Sequence, residues 1–334
     1  MATLATTNPT LVEVAKRLDP DGKIAMIVEI LNQVNEVIDD MTWLEGNLPT
    51  GHRTSIRTGI PAPTWRKLYG GVQPVRSTTV QVTDNCGMLE NYAECDKALA
   101  DLNGNTAEFR LSEDRPIIEG FSQEVAKTLF YGNEGTLPES FTGLAPRFNT
   151  SVVATSQSGD NVIKAGGAGA DNTSVWLVVW GPQSVHGIYP KGQVGGLSMV
   201  DKGQVTIESV DGAGGRMEAY RSHYKWNCGL TVKDWRYVVR IANVDVSDLT
   251  KDAATGADLV DLMVQALELP PSLQAGRPAF YMNRTVRSFL RRQMKNAKNV
   301  NLTLDNVAGK RVLFFDEVPV RRCDAILLNE AVVP

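Results

Sequence analysis

Cys228 and His223 are the thiol and imidazole closest together in this sequence, and such a pair can make a nucleophile with its base. Five residues apart at the end of one strand-like segment they need not face each other, so ordinary sheet residues are the plainer reading. The other histidines, His52 and His186, lie far away, and no HExxH spacing occurs. Cys86, Cys95, Cys228 and Cys323 are scattered without a CxxC pair, which argues against a zinc site or a redox motif and for reduced, packed thiols. The glycine cluster Ala165–Ala170 leads into an apolar strand rather than a helix and lacks the third glycine of GxGxxG; GxxxxGK[ST] is missing. Residues 165–172 and 211–215 therefore read as mobile surface turns. No cofactor and no metal are expected.

A basic stripe is the other candidate. Arg284, Arg287, Arg291, Lys295 and Lys298 recur at three- and four-residue steps, with Arg292 beside them, opposite Val286, Phe289 and Leu290. Two readings stand: a solvated helix face paired with acidic neighbours, or a contact with an acidic partner or DNA. A net charge of −4 argues against a dedicated nucleic-acid binder, so any DNA contact should be weak and nonspecific.

The elements behind these residues point to assembly rather than catalysis. From Thr54 to Thr83 the chain reads as two extended arms around a Gly70-Gly71 turn, with Thr, Val and Ile suited to strands and Pro61, Pro63 and Pro74 forbidding a continuous ladder. Such a hairpin has no core of its own and needs outside support. Trp65, Arg66, Lys67, Leu68 and Tyr69 just before the turn have the composition of an interface anchor. The alternative is a surface loop whose Trp65 folds back on its own domain.

Around the hairpin the periodicity predicts an amphipathic helix over Gly22–Met41, a short helix over Met88–Leu102 and a long one over Thr106–Tyr131. In the last, Ile117, Phe121, Val125 and Leu129 repeat every fourth residue, and Ile118 and Phe130 widen the stripe. Pro116 leaves two options: a helix starting near Ser112–Asp114, or a longer one from about Asn105 bent at the proline. Residues 145–245 read as an antiparallel sheet, with a buried strand at Val175–Trp180 and alternation over Arg216–Trp226 and Lys233–Asn243. The tail alternates helices at Leu259–Leu269 and Thr285–Lys295 with strands at Pro278–Met282, Val312–Phe315 and Ala325–Leu328. An apolar fraction of 43% and a charged fraction of 22% are those of a globular α+β protein. No stretch is long and apolar enough to span a bilayer and no secretory leader is recognisable, so the protein is expected to fold where it is made.

In order and in local motifs the chain resembles the major capsid proteins of tailed bacteriophages with the Hong Kong 97-type fold, nearest to those of epsilon-fifteen-like short-tailed phages. The matching stretches are Pro61–Leu68, Ser77–Val82, Phe109–Glu113, Gly187–Gly192 and Phe280–Arg284. The resemblance implies an N-terminal arm over residues 1–53, an extended loop over 54–83, and a peripheral domain with the spine helix over 84–145. A sheet region shared by the peripheral and axial domains over 146–245 and an axial α/β domain over 246–334 complete it. It implies a non-enzymatic coat protein that self-assembles into hexamers and pentamers around packaged double-stranded DNA in the bacterial host cytoplasm, with Trp65, Arg66, Lys67 and Tyr69 between subunits and Pro116 easing a bend of the spine helix. Its partners would be copies of itself, a portal protein, a decoration or cement protein and, since only about twenty residues precede the first helix, a separate scaffolding protein. Some relatives crosslink a loop lysine to an asparagine; Lys67 has no recognisable asparagine or glutamate to match, so no crosslink is expected. Competing readings are a nanocompartment shell of the same fold, a β-rich tail or decoration protein, and a hydrolase using Cys228 and His223.

Overall fold

The computed structural model describes residues 33–102, 105–208, 214–251, 253, 256–296, 302–307 and 310–334. Helix α1 (Val37–Asp40) leads to strand β1 (Trp43–Glu45) and to the paired strands β2 (Gly51–Gly59) and β3 (Thr78–Asp96). A one-turn helix α2 (Lys97–Ala100) precedes the long helix α3 (Thr106–Tyr131). Strands β4 (Val162–Lys164), β5 (Asn172–Trp180), β6 (Val185–Tyr189), β7 (Leu197–Glu208), β8 (Arg216–Val232) and β9 (Val238–Asp245) follow. The C-terminal part runs α4 (Leu259–Glu268), β10 (Arg277–Met282), α5 (Arg284–Asn296), β11 (Leu302–Val307), β12 (Lys310–Phe315) and β13 (Val318–Arg322).

The chain forms two units built from interleaved segments. One takes in Met88–Ala126 and Gly196–Asn227; the other takes in Asn35–Gly87, Lys127–Gly195 and Cys228–Pro334. In the larger unit the strands run β11–β12–β13–β10–β5–β6–β8, with β9 also beside β5, β4 beside β9 and β1 beside β6. The sheet is mixed, not antiparallel as expected: β1 runs parallel to β6, β4 to β9 and β10 to β13. Three of those parallel partners, β1, β10 and β13, come from outside residues 145–245. Every residue of β5 is buried, because both faces of the strand are covered, and this is why its sequence is a continuous apolar run. On one face Val175 and Leu177 join Val239, Ile241, Phe280 and Met282 under α4 and α5, which contribute Met263, Val286 and Leu290. On the other, Trp176 packs against Phe130 and Phe148. Asp258 caps α4 by accepting the Val260 and Asp261 N–H groups, and Pro270-Pro271 ends it.

The smaller unit has much less apolar core. Cys95, Ala100 and Phe109 cluster with Leu99 and Tyr220. β7 and β8 pair from Leu197 opposite Trp226 to Glu208 opposite Arg216, with a shift at Asp201/Gly203. Ion pairs from Arg110 to Asp201 and from Arg221 to Glu94 link this hairpin to the flanking segments.

Several expectations are corrected. Met88–Leu102 is not a helix: Met88–Asp96 continues β3, and only Lys97–Ala100 turns helical, where the Asp96 carboxylate accepts the Ala98 N–H. Most of the helix expected over Gly22–Met41 lies outside the described residues. In the described part only Val37–Asp40 is helical, since Asn35 bridges to Cys323 and the Glu36 N–H bonds the Arg322 carbonyl. Trp235–Tyr237 form a 3-10 turn rather than strand, because Asp234 captures both the backbone N–H and the guanidinium of Arg236. Ala325–Leu328 is not a strand either. Side chains satisfy its backbone: Asn283 donates to the Ile326 carbonyl, Thr173 to that of Leu327, and the Leu327 N–H bonds the Tyr131 hydroxyl. Within the turn at 165–172, the Ala165 and Gly167 N–H groups bond the Ala242 and Asn243 carbonyls. A Cβ at Gly167 would lie 2.5 Å from the Asn243 carbonyl oxygen, so the close approach requires glycine. Of the second turn, residues 211–213 lie outside the described residues.

Of the two options for α3, the longer helix is the one formed, with Pro116 in its interior. Phe121, Val125, Leu129 and Phe130 are buried as expected, but Ile118 is 44% exposed and faces away.

Candidate assembly interface

The hairpin has a fixed root and an unsupported tip. β2 and β3 pair from Gly51 opposite Asn85 to Gly59 opposite Thr78, with an irregularity between Arg57 and Gly59. At the root, a Cβ on Gly51 would sit 2.1 Å from the Asp84 carbonyl oxygen, so the strands can close only around glycine. The Asn47 side chain brackets Arg53, donating to its carbonyl and accepting its N–H at 2.7 Å each. Below, the buried Asp84 carboxylate meets the Arg147 guanidinium at 2.8 Å, and Arg147 also donates to the Gly143, Thr142 and Leu230 carbonyls.

Beyond Gly59 and Thr78 the ladder stops, as Pro61, Pro63 and Pro74 require. Every residue from 62 to 76 is exposed. Trp65 is 101%, Tyr69 102% and Leu68 86% exposed, so none of them folds back on its own chain. Arg66 and Lys67 are exposed beside them. The reversal falls at Lys67–Gly70, where the Gly70 N–H bonds the Lys67 carbonyl at 3.0 Å. It is two residues earlier than the expected Gly70-Gly71 turn, with Tyr69 rather than a glycine in the left-handed region at φ 62°.

The basic stripe is only partly free. Arg284, Arg291 and Lys295 are exposed, with Arg284 3.9 Å from Asp324. Arg287 is half-buried, and burial lowers its guanidinium from the usual value, with Glu36 opposing. It belongs to the packing of α5, so the expected face loses one of its five cations, and Lys298 lies outside the described residues. Arg292 lies over the Phe289 ring at 4.9 Å.

The residues that raised the question of catalysis each have partners or packing of their own. The His223 ring bonds Glu90 at 3.2 Å and stacks on Tyr92 at 4.5 Å. Cys228 is buried, and burial pushes its thiol up to about 12, as it does for Cys86 and Cys323. Cys95 is pushed to about 11 for the same reason. Burial of this kind disfavours the thiolate. Among the described residues no three His, Cys, Asp or Glu side chains gather to hold a metal, and no helix is long and apolar enough to cross a membrane.

Sequence reasoning missed a buried ion pair that holds the carboxyl end. The Arg240 guanidinium meets the Glu330 carboxylate at 2.7 Å with both side chains about 5% exposed. Ser174 and Tyr131 bond Glu330, while Arg240 donates to Ser174 and the Phe148 carbonyl and lies 5.0 Å from the Trp176 ring centre. The only local signal was an arginine inside the apolar run of β9.

A mixed α+β body bearing an extended, coreless loop and a long helix is the Hong Kong 97-like fold of phage capsid proteins. The family model for the major capsid protein GP7 matches residues 19–334, and the chain belongs to that family. It shares 42% identity with a chain of the near-atomic-resolution cryo-EM structure of bacteriophage Epsilon15, covering 100% of this chain and 99% of that one with a TM-score of 0.78. The bacteriophage JBD30 capsid matches at 10% identity over 96% of each chain with a TM-score of 0.48. The capsid of a native GTA particle matches at 11% identity over 71% of this chain and 99% of that chain, with a TM-score of 0.45. At that distance the last two add nothing to the assignment. No curated protein sequence matches. The chain is a structural protein of the virion capsid that forms an icosahedral shell.

Proposed function

We propose that residues 54–83 lie across a neighbouring copy in hexamers and pentamers, with Trp65, Arg66, Lys67, Leu68 and Tyr69 as the inter-subunit contacts. The observation that carries this reading is the full exposure of Trp65 and Tyr69 on a segment with no core of its own. An exposed Trp, Leu and Tyr in a row is costly to leave in water, and covering each aromatic removes about 150–250 Å² from solvent. Each copy offers a loop and a surface that receives one, so the contact is heterologous and closes into rings. We read the unit of Met88–Ala126 and Gly196–Asn227 as the peripheral domain and the larger unit as the axial domain with the loop's root.

On the family resemblance we add a scaffolding protein, a portal protein and a decoration or cement protein as partners. Contact of Arg284, Arg291 and Lys295 with packaged DNA would be weak and salt-dependent. The chain is read as non-enzymatic, supported by thiols whose burial disfavours the thiolate. Pro116 has no N–H to give the Ser112 carbonyl, which lowers the cost of bending α3 there; identical helix geometry in precursor and mature shells would count against that role.

The test is the double variant Trp65→Ala/Tyr69→Ala. It should leave the unfolding midpoint of the dispersed subunit unchanged and abolish closed shells in sedimentation and negative-stain imaging. Shells at the wild-type yield would defeat the reading.

A further inference from the structure

The smaller unit holds an open cavity of about 320 Å³, walled by Leu89, Glu90 and Asn91 of β3 and by Pro116, Gly120 and Phe121 of α3. Gly120 opens onto it, and an added Cβ there would meet nothing within 4 Å. Pro116 lies one helical turn away on the same face, so neither position sends a long side chain across the gap. Buried Phe121, tilted against Tyr224 at 6.4 Å, contributes an aromatic wall. Glu90 and Glu124 stand at the cavity, Glu90 sharing its charge with Lys225 and His223.

Charge and size name the occupant. Residues 54–83 carry Arg57, Arg66, Lys67 and Arg76 and no carboxylate, whereas residues 88–126 carry nine carboxylates against three cations. The volume is at the lower end of ligand pockets and suits a single aromatic side chain rather than a larger cofactor. We propose that this cavity receives the Trp65 indole of a second copy, with Arg66 and Lys67 beside its acidic rim. The inference rests on the reading of the loop as an inter-subunit contact and adds the seat of its anchor. A buried aromatic in a desolvated pocket, ringed by charge pairs, is the arrangement that dominates interface energetics.

Filling the cavity from its own side tests this without touching the loop. Gly120→Ala and Gly120→Leu both favour the helix, and the dispersed subunits should melt no lower than wild type. Gly120→Ala leaves room and should assemble normally, whereas Gly120→Leu should lower the fraction of protein in shells at least about tenfold, the loss of one anchoring aromatic. Normal assembly of Gly120→Leu together with failure of Trp65→Ala would overturn the cavity as the seat and leave the loop contact standing. Normal assembly of both would sink the loop contact itself. As a second measurement that keeps the indole, Thr64→Cys/Asn91→Cys should give intersubunit disulfides in oxidised shells, and Thr64→Cys/Leu111→Cys should not; the reverse pattern would place the indole elsewhere.

Discussion

Trp176 and Trp65 are the same residue type, yet the first is completely buried and the second completely exposed. Trp176 sits on β5 between Phe130, Phe148 and the Arg240 guanidinium, and its burial stabilises the chain's own fold. Trp65 touches nothing that its own chain provides. The contrast separates residues that make a subunit from residues that make a shell. Trp176→Ala should therefore cost about 3–5 kcal/mol of subunit stability, read as a lower urea midpoint. Trp65→Ala should change that midpoint by no more than about 0.5 kcal/mol while depleting shells. If Trp65→Ala destabilised the dispersed subunit by as much as Trp176→Ala, the division would collapse.

The buried ion pair behind Trp176 sharpens the same contrast. Arg240→Ala strands the Glu330 carboxylate in the interior and should cost about 3–5 kcal/mol, because the remaining charge is left unpaired. Replacing both partners, Arg240→Met with Glu330→Leu, should recover most of that loss, since the desolvation of two charges disappears with their attraction. Equal losses in the single and double variants would mean that the network's hydrogen bonds to Ser174 and Tyr131, rather than charge compensation, carry its weight. The exposed tip cations give the opposite expectation: Arg66→Ala should leave the subunit's melting curve unmoved.

Much of this division was legible in residue order. Val175–Trp180 announces a strand covered on both faces, and the proline-spaced arm around Trp65 announces a segment that cannot build a core. The expected helix over Met88–Leu102 failed because Met, Leu, Glu and Ala favour helix locally, whereas strand formation depends on partners distant in the chain. Ala325–Leu328 failed because its backbone is satisfied by the side chains of Asn283, Thr173 and Tyr131, which leave no local pattern. Arg287 looked like one cation of an exposed stripe, and only the packing around α5 makes it half-buried. The tip residues could be named from composition alone. The cavity at Gly120 could not, because its walls on β3 and α3 lie about 25 residues apart in the chain.

Acid separates the hairpin's root from its tip. His52 of β2 and His186 of β6 meet edge to face at 5.8 Å beside the root, and residues 54–83 contain no group that titrates between pH 5 and 7. Burial pushes His186 down to about 4, helped by Lys233 and the neighbouring His52, while the Gly181 backbone opposes the shift. His52 is lowered by burial and by Lys233, with Asp84 opposing. Above pH 6.5 neither folded nor unfolded chain protonates His186, so stability is unaffected. As pH falls from 6.5 toward 4, the unfolded chain takes up a proton that the folded chain refuses, and stability drops by about 1.4 kcal/mol per pH unit. The loss reaches about 3 kcal/mol near pH 4 and then levels off. Asp40 and Asp114, raised by burial, act with the opposite sign, since their folded forms hold protons more readily. Urea midpoints of dispersed subunits at pH 7, 5.5 and 4.5 should therefore fall more steeply for wild type than for His186→Gln. Parallel slopes would show that the root does not sense acid through this histidine. In that case acid would not separate root from tip, and their difference would rest on burial alone.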